Sequence, residues 1–447
     1  MKTKLFLFIS LSFFGYSYAQ IGFEEYIIQE NVLGSYSVYT AYINNDNFMD
    51  VISCSIDGDT VVWHENTDGQ GAFETHIIQD NVDGVMSVFA ADINGDGYMD
   101  VICAAYWDDT VIWYENTDGQ GNFEAHIIQE NADGATEVHA ADKDGDGDMD
   151  VLSASDFDDT IAWYENTDGQ GAFDMHVIST SQNGSRSVYT AYINEDEFID
   201  VLAASRVDGK VAWYQNDGQG NFGDERIIST YTDAWRVTAS DLNGDGFMDV
   251  IALLDDDKID WYENDGQGIF IVHPLSTDAI GGEWVYAEDI DDDGDNDILC
   301  ASIFADKISW YENDGEGSFV EHIIQENVDS ASSVHAADIN GDGKMDVIAT
   351  GRSYGKVVWY EQVELGLNEN SLVGFSAYPN PTTNILNVEA ASDISSIEVI
   401  NVLGQTLYSE TTTTNKTQID LSAFQTGNYF VRVTVDNTTK VLQIIKQ

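Results

Sequence analysis

Five short stretches of this 447-residue chain repeat one pattern of oxygen-bearing side chains. In Asp92-Ile93-Asn94-Gly95-Asp96-Gly97-Tyr98-Met99-Asp100 the oxygens fall at positions 1, 3, 5 and 9, and the carbonyl at position 7 can add another. Alternate residues of a tight glycine-containing loop can point inward together, and Ca2+ takes six to eight hard oxygens at flexible geometry. Mg2+ holds on to its waters and suits such a cage less well. The full sets are Asp92, Asn94, Asp96 and Asp100; Asp142, Asp144, Asp146 and Asp150; Asp241, Asn243, Asp245 and Asp249; Asp289, Asp291, Asp293 and Asp297; and Asp338, Asn340, Asp342 and Asp346. Two more stretches, Tyr42-Asn44-Asp46-Asp50 and Tyr192-Asn194-Asp196-Asp200 by the same positions, begin with tyrosine and lack the glycines. These two are expected to bind calcium weakly or not at all. A single loop of this kind would be an ordinary Asp/Asn/Gly turn, but five in step predict about five calcium sites. An EF-hand would need Glu at position 12 between helices; position 12 here is Cys103, in a strand-like segment.

The loops sit in a larger repeat. Tryptophans recur at Trp63, Trp113, Trp163, Trp213, Trp261, Trp310 and Trp359, at intervals of 48 to 50 residues, so there are seven copies. Each copy holds four short apolar or alternating runs divided by turn residues, with no helical period. In the second copy these are SVFAADI, VICAA, VIWYEN and FEAHIIQ. Four-stranded units repeated radially predict an all-β fold, a seven-bladed β-propeller over residues 20–362. The segment Gly22–Gln29 (GFEEYIIQ) matches the fourth strand of a copy, while the last copy stops at its third, Lys356–Gln362. The N-terminal strand is therefore expected to complete the seventh blade and close the ring. An open β-solenoid would leave that mismatch unexplained.

Composition limits the partners. Lys+Arg number 17 against 80 Asp+Glu, a formal net charge of −63. Such a surface repels phosphate, which argues against nucleic acid and anionic membranes. Hydrophobic residues at 43% and aromatics at 12% supply a core, so disorder is not the explanation of the charge. Residues 1–19 have two lysines, an apolar run and Ser17-Tyr18-Ala19, the pattern of a secretory signal peptide. That run is too short for a membrane anchor, and no other segment approaches about 18 apolar residues, so no transmembrane segment is expected in the mature form. Cys54, Cys103 and Cys300 fall in apolar strands and read as small buried hydrophobes.

After Gln362 the repeat ends. Residues 363–373 read as a linker, and 374–447, of low charge and alternating pattern, as a small C-terminal β-sandwich.

Two resemblances follow from these motifs. The motif DINGDGYMDV at blade spacing resembles FG-GAP repeats, also described as VCBS-type, the units of integrin-α-like propellers. That resemblance implies a calcium loop joining the first and second strands on the lower face, with the aspartates named above as ligands. Tyr378-Pro379-Asn380-Pro381, Asn401-Val402-Leu403-Gly404-Gln405 and Gly427-Asn428-Tyr429-Phe430-Val431-Arg432-Val433 resemble the type A C-terminal sorting domain of the type IX secretion system. That implies handling by the type IX machinery and a place outside the cell, released or held at the outer-membrane surface.

The remaining candidates lie on the face opposite the metal loops. Trp107, Trp235 and Trp284 are the tryptophans outside the repeat, and eight of the eleven Lys/Arg between residues 21 and 365 fall near them. Trp107, Arg206, Trp235, Arg236, Trp284 and Arg352 are the expected ligand-binding set, because aromatic faces with cations suit an acidic sugar or a peptide carboxylate. The alternative is that the cations offset neighbouring aspartates and the tryptophans cap blades. No nucleophile motif is visible. His76, His126, His176 and His322 share one strand position and read as structural; His139 and His335 are expected to line the channel. The sequence thus predicts a monomeric calcium-binding module for an extracellular glycan or protein ligand, in adhesion or capture. The competing reading is a propeller lyase or hydrolase of an acidic polysaccharide.

Overall fold

The computed structural model describes residues 21–254, 257–277, 279–364, 376–401, 406–435 and 438–447. The expected signal peptide, most of the expected linker and Val402–Gln405 of the second sorting motif lie outside them. The described residues contain no helix, and hence none long and apolar enough to cross a membrane.

One compact unit, Gly22–Val363, contains seven four-stranded sheets. In the second blade Val85–Ala91, Asp100–Ala105, Thr110–Asn116 and Phe123–Gln129 pair antiparallel in that order. The second strand of every blade is buried on both faces, packed between neighbouring blades, and its near-continuous apolar sequence reflects that. The fourth strand is an edge and carries exposed acids such as Glu74 and Glu124, which discourage further pairing. The ring closes as expected: Ile21–Glu30 pairs with Lys356–Glu364, which pairs in turn with Asp346–Gly351 and then Ala331–Ala337.

A buried carboxylate at the start of each second strand joins the blades. Asp50, Asp100, Asp150, Asp200, Asp249, Asp297 and Asp346 are all 0–1% exposed. One oxygen of Asp100 accepts from the backbone N–H of Asn116 at 2.7 Å, the other from that of Ile93 at 3.1 Å. The Asn116 side chain then donates to the carbonyl of Ile43, in the first-to-second-strand loop of the preceding blade, at 2.8 Å. The same amide-to-carbonyl link recurs seven times at 2.6–2.9 Å, from Asn66 to Ile339 round to Gln362 to Ile290.

Each first strand has a bulge near its start, where one residue is left without a partner opposite. The skipped residues are Tyr36, Met86, Thr136, Arg186, Trp235, Glu283 and Ser332, one per blade. Lower on the same strands, aromatic rings line the channel. Tyr39 packs at a tilt against Phe89 and His335, Phe89 against His139 and His335 against Tyr286, and His139 meets Tyr189 edge-on, with centroids 4.3–5.0 Å apart. Burial pushes both histidines down to about 3, so they are neutral rings in an aromatic lining.

The C-terminal unit holds Glu364–Gln447. Its sheet consists of Ser376–Tyr378, Ile385–Asn401, Thr406–Asp420, Gly427–Val435 and Thr438–Lys446. Ile385–Asn401 shifts register between Glu389 and Ile394, pairing with Ser376–Tyr378 before the shift and Gly427–Val435 after it. Leu386 and Val388 from one half share a core with Val431 and Val433 from the other, so the sheet folds over on itself as a small sandwich.

Two outcomes are expected. Asp50→Ala, chosen because its loop begins with Tyr42, strands two buried amides and should cost about 3 kcal/mol in denaturant unfolding with chelator present. His139→Phe with His335→Tyr, the rings other blades use, should flatten the acid limb of stability. A histidine whose folded value is depressed costs stability as pH falls from about 6.5 toward 3, by about 1.4 kcal/mol per pH unit per group. Thermal melts of both proteins from pH 7 to 4 would show the wild type losing ground to the variant.

Candidate functional site

The structure offers two sites on opposite faces of the ring. The first-to-second-strand loops make the lower one. In the second blade Asp92 folds back over its own loop, one oxygen accepting from Asp96 N–H at 3.1 Å and the other from Gly97 N–H at 2.9 Å. Asn94 Oδ1 accepts from Asp96 N–H at 3.1 Å. Gly95 and Gly97 turn with φ of +68° and +89°, the left-handed conformation that lets the loop double back so tightly. Asp142, Asp241, Asp289 and Asp338 fold back in the same way. Carboxylate oxygens of Asp142, Asp144 and Asp146, and those of Asp289, Asp291 and Asp297, each gather within 4.8 Å of one another.

The donor set fits a hard divalent cation. Asp291 Oδ1 is buried with no hydrogen-bond partner. Burial, with the neighbouring charges of Asp293 and Glu312, pushes its carboxyl up to about 6. Such an atom is stabilised by a cation and by little else within reach. The position-9 aspartates, Asp100 among them, also hold the backbone amides described above. In the first and fourth blades Tyr42 and Tyr192 are 47% and 53% exposed and contribute no carboxylate. There Asn45, Asn47 and Glu197 make the left-handed turns.

Sequence reasoning missed what stands behind these loops. Asn94 Nδ2 donates to Glu115 at 3.2 Å, Glu115 pairs with His126 at 2.9 Å, and His126 stacks on Trp113 with centroids 4.6 Å apart. The Glu–His–Trp unit recurs with His76, His176, His273 and His322. In the fourth blade Arg226, bonded to Gln215 at 2.6 Å and lying over Trp213 at 4.6 Å, takes the histidine's place. Another departure is Lys143, 2% exposed where the other blades place Ile or Leu, with Nζ 3.4 Å from the carbonyl of Asp200.

The upper site is built from the bulge residues. Tyr36 donates its hydroxyl to Glu283 Oε1. Arg186 Nη2 reaches the same two atoms, Tyr36 Oη at 2.8 Å and Glu283 Oε1 at 3.1 Å. These residues belong to the first, fourth and sixth blades, so their contacts form a bar across the channel mouth. Trp235, the bulge residue of the fifth blade, lies beneath the Arg186 guanidinium at 5.1 Å. With Phe304 and Arg352 they line a cavity of about 240 Å³. Arg352 holds Asp57 through two bonds of 3.0 and 2.8 Å.

The six residues expected to bind a ligand divide into three groups. Trp235 and Arg352 line the mouth cavity. Arg206 approaches it, 6.0 Å over Trp235 and 3.5 Å from Asp156. Trp107 lies further out, 55% exposed, against Tyr106 and Phe157. Arg236 and Trp284 sit lower, in a separate chamber of about 160 Å³ with Glu137. There Arg236 pairs with Glu137 and covers the Trp284 ring. Tyr36, Arg186 and Glu283 were not singled out as site residues, since a bulge common to all copies leaves no mark in the repeat.

Comparison with known proteins bears on both units. The model of the FG-GAP-like repeat matches six overlapping windows, 42–103, 92–153, 142–203, 193–252, 241–300 and 289–349. The secretion system C-terminal sorting domain matches residues 376–447. No curated protein matches the chain. Among solved structures, two crystals of BBS1N in complex with ARL6DN, soaked with mercury and with lead, share 12% identity with TM-scores of 0.53 and 0.54. The alignments cover 77% and 75% of this chain and 98% and 95% of theirs. An Agrocybe aegerita lectin described as recognising non-reducing terminal N-acetylglucosamine aligns at 17% identity and TM-score 0.49, over 72% of this chain and 86% of its own.

Proposed function

The chain belongs to the FG-GAP-like repeat family and is carried by a type IX sorting domain to the cell surface or the extracellular space, and we propose that it is a calcium-loaded binding module for an extracellular glycan. The observation behind this reading is the channel mouth. Tyr36, Arg186, Trp235 and Glu283 break the pattern of the repeat at one position, and they meet around one cavity. A concave site with aromatic walls and a few converging polar groups is the usual form of a small-ligand site.

Calcium would act on the opposite face as a brace. In five blades the cation would pull position-1, -3 and -5 oxygens together and hold the loop that the next blade's Asn or Gln grips. A binding role is preferred to lyase chemistry because the titratable groups of the bar hold one another, Glu283 bonding to both Tyr36 and Arg186. Burial holds the Tyr36 hydroxyl protonated far above neutral pH, and His139 and His335 line the separate lower chamber.

Both halves of the reading have a measurement. Metal analysis should find about five calcium ions per chain, and Asp96→Ala or Asp342→Ala should each remove one. Each site saturated at a hundredfold its Kd adds about 2.7 kcal/mol, so chelator should lower the Tm; an unchanged Tm would discard the calcium brace. On the other face, Trp235→Ala should weaken glycan binding at least tenfold in a fluorescence titration, at unchanged calcium content. A glycan array on which the wild type binds nothing would discard the binding role.

A further inference from the structure

We infer that the mouth cavity takes a neutral sugar ring and rejects acidic ones; this rests on the glycan-binding reading and narrows it. Cations near the cavity suggest an anionic ligand only while their partners are ignored. Each of them already holds a carboxylate: Arg186 holds Glu283, Arg352 holds Asp57, Arg206 holds Asp156, and Arg236 holds Glu137 in the chamber below. A uronate at any of these guanidinium groups would either sit beside the carboxylate already there, against its charge, or displace it. Displacing Glu283, whose side chain is 10% exposed, leaves a buried charge without its partner, which is strongly unfavourable. The long-range field acts in the same direction, since a chain of net charge −63 repels polyanions before contact.

The same pairs suit hydroxyl groups. Tyr36 and Arg186 both bond to Glu283 Oε1, which leaves Oε2 as an acceptor, and Arg186 uses only Nη2 for its two bonds. A carboxylate oxygen beside guanidinium N–H groups matches two neighbouring ring hydroxyls, one donating to the oxygen and one accepting from the nitrogen. Phe304, 78% exposed, and Trp235 supply apolar surface for the C–H face of the ring. At about 240 Å³ the cavity is smaller than the roughly 300–1,000 Å³ of drug-sized sites, which fits one ring and not a chain of them.

The test uses the full chain with calcium and follows tryptophan fluorescence in 50 and 500 mM NaCl. The probes are neutral oligosaccharides (cello-, manno-, xylo- and chito-series) and uronate oligosaccharides of equal length from alginate and polygalacturonate. The expected result is that at least one neutral series binds, with its Kd changing less than twofold between the two salts. Uronates should bind at least tenfold more weakly. Glu283→Gln and the surface variant Phe304→Ala should each weaken the neutral ligand at least fivefold. Uronates binding more tightly than every neutral series, and losing affinity in salt, would overturn this inference and leave the glycan-binding reading standing. Binding of neither class would overturn both.

Discussion

A carboxylate with almost no exposed surface opens the second strand of every blade, and its two oxygens hold backbone amides that have no water to turn to. This contact fixes the end of the third strand against the start of the second. The Asn or Gln whose N–H it takes then reaches into the neighbouring blade. The arrangement repeats around the ring without regard to whether a loop is built for metal: Asp50 and Asp200 keep it although Tyr42 and Tyr192 head their loops. The aspartate pattern in the sequence therefore serves two purposes. Position 1 changes from blade to blade, positions 3 and 5 keep an oxygen-bearing Asn or Asp in all seven copies, and position 9 is part of the frame. A divalent cation would act on a ring whose joints are already made.

Much of this was legible in the chain because repetition multiplies a weak signal. One run such as VICAA is ambiguous, but seven in register with Trp and Asp are not. The missing fourth strand of the last copy and the spare strand at the start gave the closure by subtraction. What could not be read was any contact between distant copies. The bar of Tyr36, Arg186 and Glu283 joins residues 97 to 247 positions apart, and each looks like an idiosyncrasy of its own blade. The cations could be counted, but not the carboxylates opposite them, so the upper face read as more basic than it is. Arg236 and Trp284 show the same limit: the sequence sets them with the loops of the upper face, whereas the structure puts them on first strands, lower in the channel.

The departures from the repeat sort by depth. At the lower loops they remove a carboxylate, as at Tyr42 and Tyr192. At the bulges they bring new polar and aromatic groups to the channel mouth, because a side chain freed from strand pairing can change without disturbing the sheet. Lys143 belongs to neither group. It replaces an aliphatic residue inside the frame, with its ammonium at a backbone carbonyl, and nothing in the structure explains why that blade alone carries it.

Ring closure sets an order on folding. The strand that completes the seventh blade is Ile21–Glu30, and its partner is Lys356–Glu364. A chain emerging from its N-terminus thus makes this strand first and can use it only after more than three hundred further residues have followed. Loop closure over that span is slow compared with the local hairpins of each blade, so the earliest strand is the last to dock. Even in the closed ring it is an edge that leaves Tyr26 and Ile27 exposed. Its Glu25 then meets Lys356 of the partner strand at 3.6 Å, a cation at the joint where the ring shuts.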